Sequence, residues 1–325
     1  MRMLARRILF YAITALAAVT VDFMIPRVMP GNPVEALLSH MQGQVTVQNI
    51  HALEAQYGLN SSAGLWGQYT HYLANVAHGN LGLSTSSYPA TVTSVIRGAL
   101  PWTIGLVGMA TVISFVLGTL LGVLVAWRRG SWLDSLLPAT TFFQAAPYFF
   151  VAFLALDLFS TRLGWFPSGR AYGQLDFPGF NAAYMADVLD HAVLPALTIV
   201  LCSAAGWIVG MRNVMVTTMD EDYVLMAQAK GLPKGRVIWY AARNAILPSV
   251  SGFSLAIGFV VSGALLTEIV FSYPGLGFIL LQAVGARDYP LLQGIFLIIT
   301  FAVLAANLAA DFVYLFLDPR TRQEA

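Results

Sequence analysis

Charge is what this chain has least of. Asp, Glu, Lys and Arg together make up 10% of its 325 residues, whereas soluble domains carry about a quarter. One unusual core cannot absorb that deficit; it implies a chain whose solvent is largely hydrocarbon. The formal net charge is +1, so no global basic field exists to attract nucleic acid. Cysteine is nearly absent as well: Cys202 stands alone in an apolar run, which excludes an internal disulfide. The five histidines (His40, His51, His71, His78 and His191) are scattered and lack the close spacing of a metal site. There is no G-x-x-x-x-G-K-[ST] loop, so nothing in the chain can cradle ATP phosphates. An enzyme buried in the membrane would need a nucleophile, a metal cluster or paired carboxylates in reach. The lone cysteine and scattered histidines argue against one.

What the sequence does have is apolar length. A membrane-crossing helix needs about 20 mostly apolar residues. Six runs qualify: 8–29, a stretch within 98–127, 135–158, 191–211, 246–270 and 291–316. They are too long and too uniformly apolar for barrel strands, so the fold class expected is all-α, a polytopic membrane protein with six spans. A signal peptide competes for the first run, since Ala15–Ala18 offers small residues for cleavage. The run is longer than a usual signal core, and it reads instead as a retained helix. Arg2, Arg6 and Arg7, then Arg128 and Arg129, then Arg212, Lys230, Lys234, Arg236 and Arg243, then Arg320 and Arg322 fall on one side if six helices alternate. The bias of Lys and Arg toward the cytoplasm puts both termini there. The organisation expected is a first helix over 1–30, an extracytoplasmic cap over 31–97 and a core over 98–319. That core carries a cytoplasmic loop at 212–247, and a tail occupies 320–325. Within the cap, Val45–Tyr57 and Leu65–Ala77 have helical patterns.

The loop after the fourth run carries most information. Asp220, Glu221 and Asp222 suit a helix N-terminus. Tyr223 to Lys230 make about two turns, and Gly231 with Pro233 behind it stops the helix. The expected product is a short capped helix outside the membrane. Ala227, Ala229 and Gly231 would leave its backbone accessible to another protein; an ordinary amphipathic surface helix is the plainer alternative.

The order of motifs then makes a resemblance. Asp222-Tyr223, Ala227-Gln-Ala-Lys-Gly231-Leu232 and Ala242-Arg-Asn-Ala-Ile-Leu-Pro248 resemble the coupling loop of bacterial ABC-importer permeases. Within these, they resemble the B-type permease of the oligopeptide/dipeptide branch. Glu268-Ile-Val-Phe-Ser-Tyr-Pro274-Gly-Leu-Gly277, Asp288-Tyr-Pro290 with Gln293-Gly294, and Leu317-Asp-Pro-Arg320 continue the likeness. Upstream, Pro30-Gly-Asn-Pro33, His78-Gly-Asn-Leu-Gly82 and Arg129-Gly-Ser-Trp-Leu-Asp134 fit too. Two departures stand out. Asn32 replaces a common Asp, and Leu225, Met226 and Ala227 stand where the general importer motif has Glu-Ala-Ala.

The resemblance implies a type I importer permease fold and a plasma-membrane location in a bacterium or archaeon. It implies four kinds of partner: a second homologous permease, two cytoplasmic ATPase subunits, an extracytoplasmic substrate-binding protein, and the lipid. ATP and Mg would be bound by the ATPases and no cofactor by this chain, which would itself be non-catalytic. Asp222, Tyr223, Ala227, Ala229, Lys230, Gly231, Arg243, Asn244 and Pro248 would couple ATPase motion to alternating access. Glu268, Phe271, Pro274 and Gly275 would be candidates for a pathway or gate. Oligopeptides or dipeptides are the implied cargo, with oligosaccharides such as β-gluco-oligosaccharides, or nickel, as alternatives. A secondary transporter running without an ATPase is the rival of another class, but no internal repeat supports it.

Ionisable groups within spans are costly and face protein; Asp22, Asp157, Glu268 and Asp311 are those groups. Gly118 and Gly122 have the spacing of close helix approach, and Pro147 predicts a kink.

Overall fold

The computed structural model describes residues 2–28, 64–173, 179, 181–258, 260 and 264–317. Twelve helices lie among them: α1 Arg2–Val28, α2 Leu65–Ala77, α3 Val92–Trp127, α4 Leu137–Ala145, α5 Tyr148–Arg162, α6 Ala182–Met219, α7 Asp222–Ala229, α8 Lys234–Ala245, α9 Leu247–Gly258, α10 Leu265–Val270, α11 Leu276–Ala286 and α12 Tyr289–Leu317. The Val45–Tyr57 segment, the Pro30–Pro33 motif and the tail from 318 onward lie outside the described residues.

Four helices are long and apolar enough to cross a membrane: α1, α3, α6 and α12. The pair α4 and α5 makes a fifth if a break bent by 103° is counted as one span. Pro147 sits at that break, in extended backbone (φ −60°, ψ 133°). The kink expected there is therefore a full interruption, because Pro147 has no N–H to give to a continuing helix. The fifth apolar run, 246–270, is not one helix among the described residues. It comprises the 12-residue α9 and the 6-residue α10.

α6 overruns its expected limits of 191–211 at both ends. At 38 residues it is about 57 Å long, nearly twice a hydrocarbon core of about 30 Å. Asn181 starts it by accepting the Tyr184 N–H at 2.8 Å. α7 and α8 pack on its far end.

The chain forms two compact units, residues 1–103 with 274–305 and residues 104–273 with 306–325. In the first, Asp22 is buried as expected of a mid-span carboxylate, and its Oδ2 accepts the Tyr72 hydroxyl of α2 at 2.8 Å. Gln293 Nε2 donates to the Asp22 carbonyl at 2.9 Å. Asp288 precedes α12 and is fully buried. It accepts the Ser84 hydroxyl, the Ser86 N–H (2.9 Å) and hydroxyl (2.7 Å), and the Leu291 N–H (3.0 Å). Gly294 faces α3 so closely that a Cβ there would lie 3.1 Å from Ile96 Cδ1. The Asp288-Tyr-Pro and Gln293-Gly motifs thus fasten α12 to its neighbours.

In the second unit the main contact is α3 against α6. A Cβ at Gly118 would lie 2.8 Å from the Ala204 carbonyl oxygen, and one at Gly122 2.8 Å from that of Ile208. The two glycines are the close-approach pair their spacing predicts.

Candidate functional site

The helix expected at 222–231 is built almost residue for residue as the sequence implies. Glu221 is its extended N-cap (φ −73°, ψ 145°). Its carbonyl accepts Val224 N–H at 2.9 Å and Leu225 N–H at 3.1 Å. No side chain caps the N-terminus; Asp222 contributes only through its place in the first turn. At the other end Gly231 takes φ +72°, a conformation that glycine adopts without steric cost. Gly231 N–H bonds the Gln228 carbonyl (2.9 Å) and Leu232 N–H the Ala227 carbonyl (3.2 Å), the paired closure of a Schellman motif. Pro233 then caps α8, with Arg236 N–H on its carbonyl at 2.8 Å.

The two short helices have an inner and an outer face. Inside, Val224 and Ala227 of α7 join Val237, Ala241 and Ala245 of α8 in one apolar cluster. Met211 and Met215 of α6 and Ala126 of α3 complete it. Spacings of three and four residues put each set on one helix face. Ala227 was expected to keep the backbone open to a partner. It is instead 9% exposed and faces inward, where its small side chain lets α7 lie close on α6. Asp222, Tyr223, Ala229, Lys230 and Gly231 do lie on the surface, as do Arg243, Asn244 and Pro248.

The outer face also holds large side chains that the spacing of small residues did not suggest. Met226 is 59% and Trp239 65% exposed, with Leu225, Tyr223 and Tyr240 beside them in sequence and similarly open. Aromatic and Met side chains are enriched at protein interfaces. The readable signal was the apolar Leu225-Met226 pair in place of Glu-Ala, and Trp239-Tyr240 beside the charged residues of an amphipathic helix.

A clamp holds the preceding loop. Arg212 of α6 bonds Asp134 at 3.0 Å, and Asp134 also accepts the Gly130 N–H at 3.2 Å. The Gly130 N–H, and after it the Arg212 guanidinium, hold the Asp134 carboxyl below its ordinary range. α7 and α8 are thus packed on α3 and α6 through apolar side chains, and the 130–134 loop is tied to α6 through Arg212.

The four candidate gate residues divide between the two compact units. Glu268 and Phe271 belong to one, Pro274 and Gly275 to the other. Glu268 is fully buried, and its carbonyl accepts the Tyr273 N–H at 2.8 Å. Burial, and then the Glu268 charge, pushes the Tyr273 phenol up to about 12. The Phe271 carbonyl accepts the Arg170 N–H at 2.9 Å. Gly275 precedes α11, whose Leu276 N–H bonds Thr103 Oγ1 at 2.8 Å. None of the four borders either larger cavity among the described residues. Among the described residues no group of three His, Cys, Asp or Glu side chains could hold a metal ion.

Residues 118–323 match the model of the binding-protein-dependent transport system inner membrane component family, a stretch that opens at the α3–α6 glycine contact and contains the whole α7–α8 elbow. The chain belongs to this family. Its relatives span nearly its full length. A Brucella suis protein provisionally named a peptide permease is 35% identical over 309 residues, 94% of each chain. The di/tripeptide transport system permease of Pseudomonas aeruginosa is 32% identical over 336 residues, covering 99% of this chain and 98% of its own. The oligopeptide transport system permease of Bacillus subtilis is 30% identical over 317 residues, 97% of each. The protein is thus a multi-pass membrane component of a transport system that works with a binding protein.

Proposed function

We propose that this chain is the peptide-translocating permease subunit of an ATP-driven importer, itself non-catalytic. In this reading it forms half of the pathway beside a second, homologous permease. Two cytoplasmic ATPases bind ATP and Mg, and an extracytoplasmic binding protein delivers the cargo. The observation that carries the reading is the α7–α8 elbow. Its inner face is packed on Met211, Met215 and Ala126, and its outer face offers Tyr223, Leu225, Met226, Trp239 and Tyr240. A helix pair with that division suits a soluble partner that closes on nucleotide and rocks the attached spans. Asp222, Ala229, Lys230 and Gly231 lie along the contact. Arg243, Asn244 and Pro248 set the angle at which the loop re-enters the bilayer, and Ala227 acts from beneath. Excess Lys and Arg on the elbow side support its placement in the cytoplasm with both termini. The peptide cargo is supported by what the relatives are named for.

The test is uptake in proteoliposomes. With the two ATPases, the second permease and the binding protein present, ATP should drive accumulation of labelled trialanine. The permease alone should accumulate none. Accumulation by this chain alone would instead identify a secondary transporter.

A further inference from the structure

The second compact unit has an open cavity of about 610 Å³. Gln144 lies in the last turn of α4 and Tyr148 opens α5, so both sides of the 103° break border it. Interrupted helical backbone at membrane depth is tolerated only where protein buries it or where it lines a water-filled space. On the opposite wall Cys202, Ser203, Gly206 and Trp207 of α6 follow helical spacing and share one face. Gly206 keeps that wall hollow: a Cβ there would meet Gln144 Nε2 at 3.7 Å. The Tyr148 hydroxyl and Ser203 Oγ lie 3.3 Å apart.

The lining has a definite chemistry. Among the described residues bordering it there is no carboxylate, Lys, Arg or histidine, only an amide, hydroxyls, the Cys202 thiol, an indole and aliphatic groups. The cavity of about 330 Å³ in the other unit, by contrast, holds Arg27 and His71. Neutral donors and acceptors recognise amides and hydroxyls, and they neither attract nor repel a formal charge strongly.

We infer that this cavity is the chamber through which solute passes in this chain, and that Gln144, Tyr148 and Ser203 hold the passing peptide by its backbone amides, irrespective of the charge on its side chains. The inference rests on the peptide-permease reading. The invariant part of a peptide is its amide backbone, so a chamber that must pass varied sequences gains from polar groups without charge. Trp207 supplies a flat wall for apolar side chains.

The experiment uses the complete importer in proteoliposomes, with trialanine, Ala-Glu-Ala and Ala-Lys-Ala as cargo. ATP-driven uptake by the unaltered complex checks the peptide-permease reading separately; its failure overturns that reading, whatever the chamber does. Given uptake, Gln144→Leu with Ser203→Ala should lower the rate for all three peptides by a similar factor of about ten, the loss of two ordinary hydrogen bonds. Unchanged rates, or a loss confined to one charged peptide, would overturn the assignment. A second measurement needs no substitution, because Cys202 is the chain's one cysteine and borders the chamber. In the complex trapped with ATP and vanadate, trialanine should suppress its labelling by methyl methanethiosulfonate. Cys202 is 4% exposed, so an absence of labelling without the peptide, or labelling that the peptide does not suppress, would overturn the inference even if the double variant fails to assemble.

Discussion

Gly122 of α3 and Met211 of α6 touch so closely that a Cβ on the glycine would fall 2.7 Å from the Met211 Cβ. Met211 is also a member of the cluster beneath α7 and α8. One residue therefore links the α3–α6 contact to the base of the elbow. Gly122→Val would force the two long helices apart. Overpacking of this kind costs about 1–3 kcal/mol or more. The melting temperature of the purified chain in detergent should fall clearly, while Gly130→Ala, in a turn with open space around it, should bring only the local strain of its positive φ.

Gly231 separates backbone strain from docking. Its φ is +72° and nothing lies within 4 Å of a Cβ placed there. Gly231→Ala should cost only about 1–2 kcal/mol of left-handed strain and leave assembly intact. Gly231→Trp adds bulk on the outer face. It should still insert in the membrane but recover less ATPase on copurification. Gln228→Ala, on the exposed side of the same helix, should matter less than the tryptophan.

Tyr72 and Asp22 form a pair across 50 residues of sequence. Tyr72→Phe would leave a buried carboxyl in the first span without its hydroxyl donor, a loss of about 1–3 kcal/mol. The combined variant with Asp22→Leu should recover part of that stability, because the group needing a partner is gone. Thermal unfolding of the four proteins in a double-mutant cycle measures the coupling.

Much of this architecture was legible because it is periodic or local. Leu65–Ala77 is a helix within the limits its pattern gave, the 222–231 helix begins and stops at its punctuation, and Gly118 with Gly122 marks a true close approach. Ala227 was misjudged because composition does not say which side of a two-turn helix faces inward; Val224, one turn earlier, decides it. The overrun of α6 to Met219 was hidden because α7 and α8 pack on that end, and that packing is tertiary. Asp288 with Ser84 and Ser86, and Asp134 with Arg212, join residues roughly 80 to 200 positions apart. No local pattern encodes such pairs. The chamber stayed unseen for the same reason: its lining comes from several separate helices, and Pro147 announces a break without saying what the break borders.

The Asp134 clamp has a pH signature. Its carboxyl is held below the ordinary 3.8 by the Gly130 N–H and Arg212. A group shifted down stabilises the fold above its unfolded value, and that contribution disappears as pH falls through the lowered value. A nitroxide attached at Ser135 should give broad spectra at neutral pH that sharpen only in acid below 3.8. Asp134→Asn should sharpen them already at neutral pH.

Coupling requires the outer face of the elbow to meet a separate nucleotide-hydrolysing subunit. The most direct measurement places a photoreactive benzoylphenylalanine at Met226 and, as a control, at Trp165, exposed in another loop, and irradiates the assembled complex. Capture of the ATPase from Met226 and not from Trp165 is the predicted result. An ATPase that copurifies but is never captured from Met226 would contradict the coupling role given to this helix.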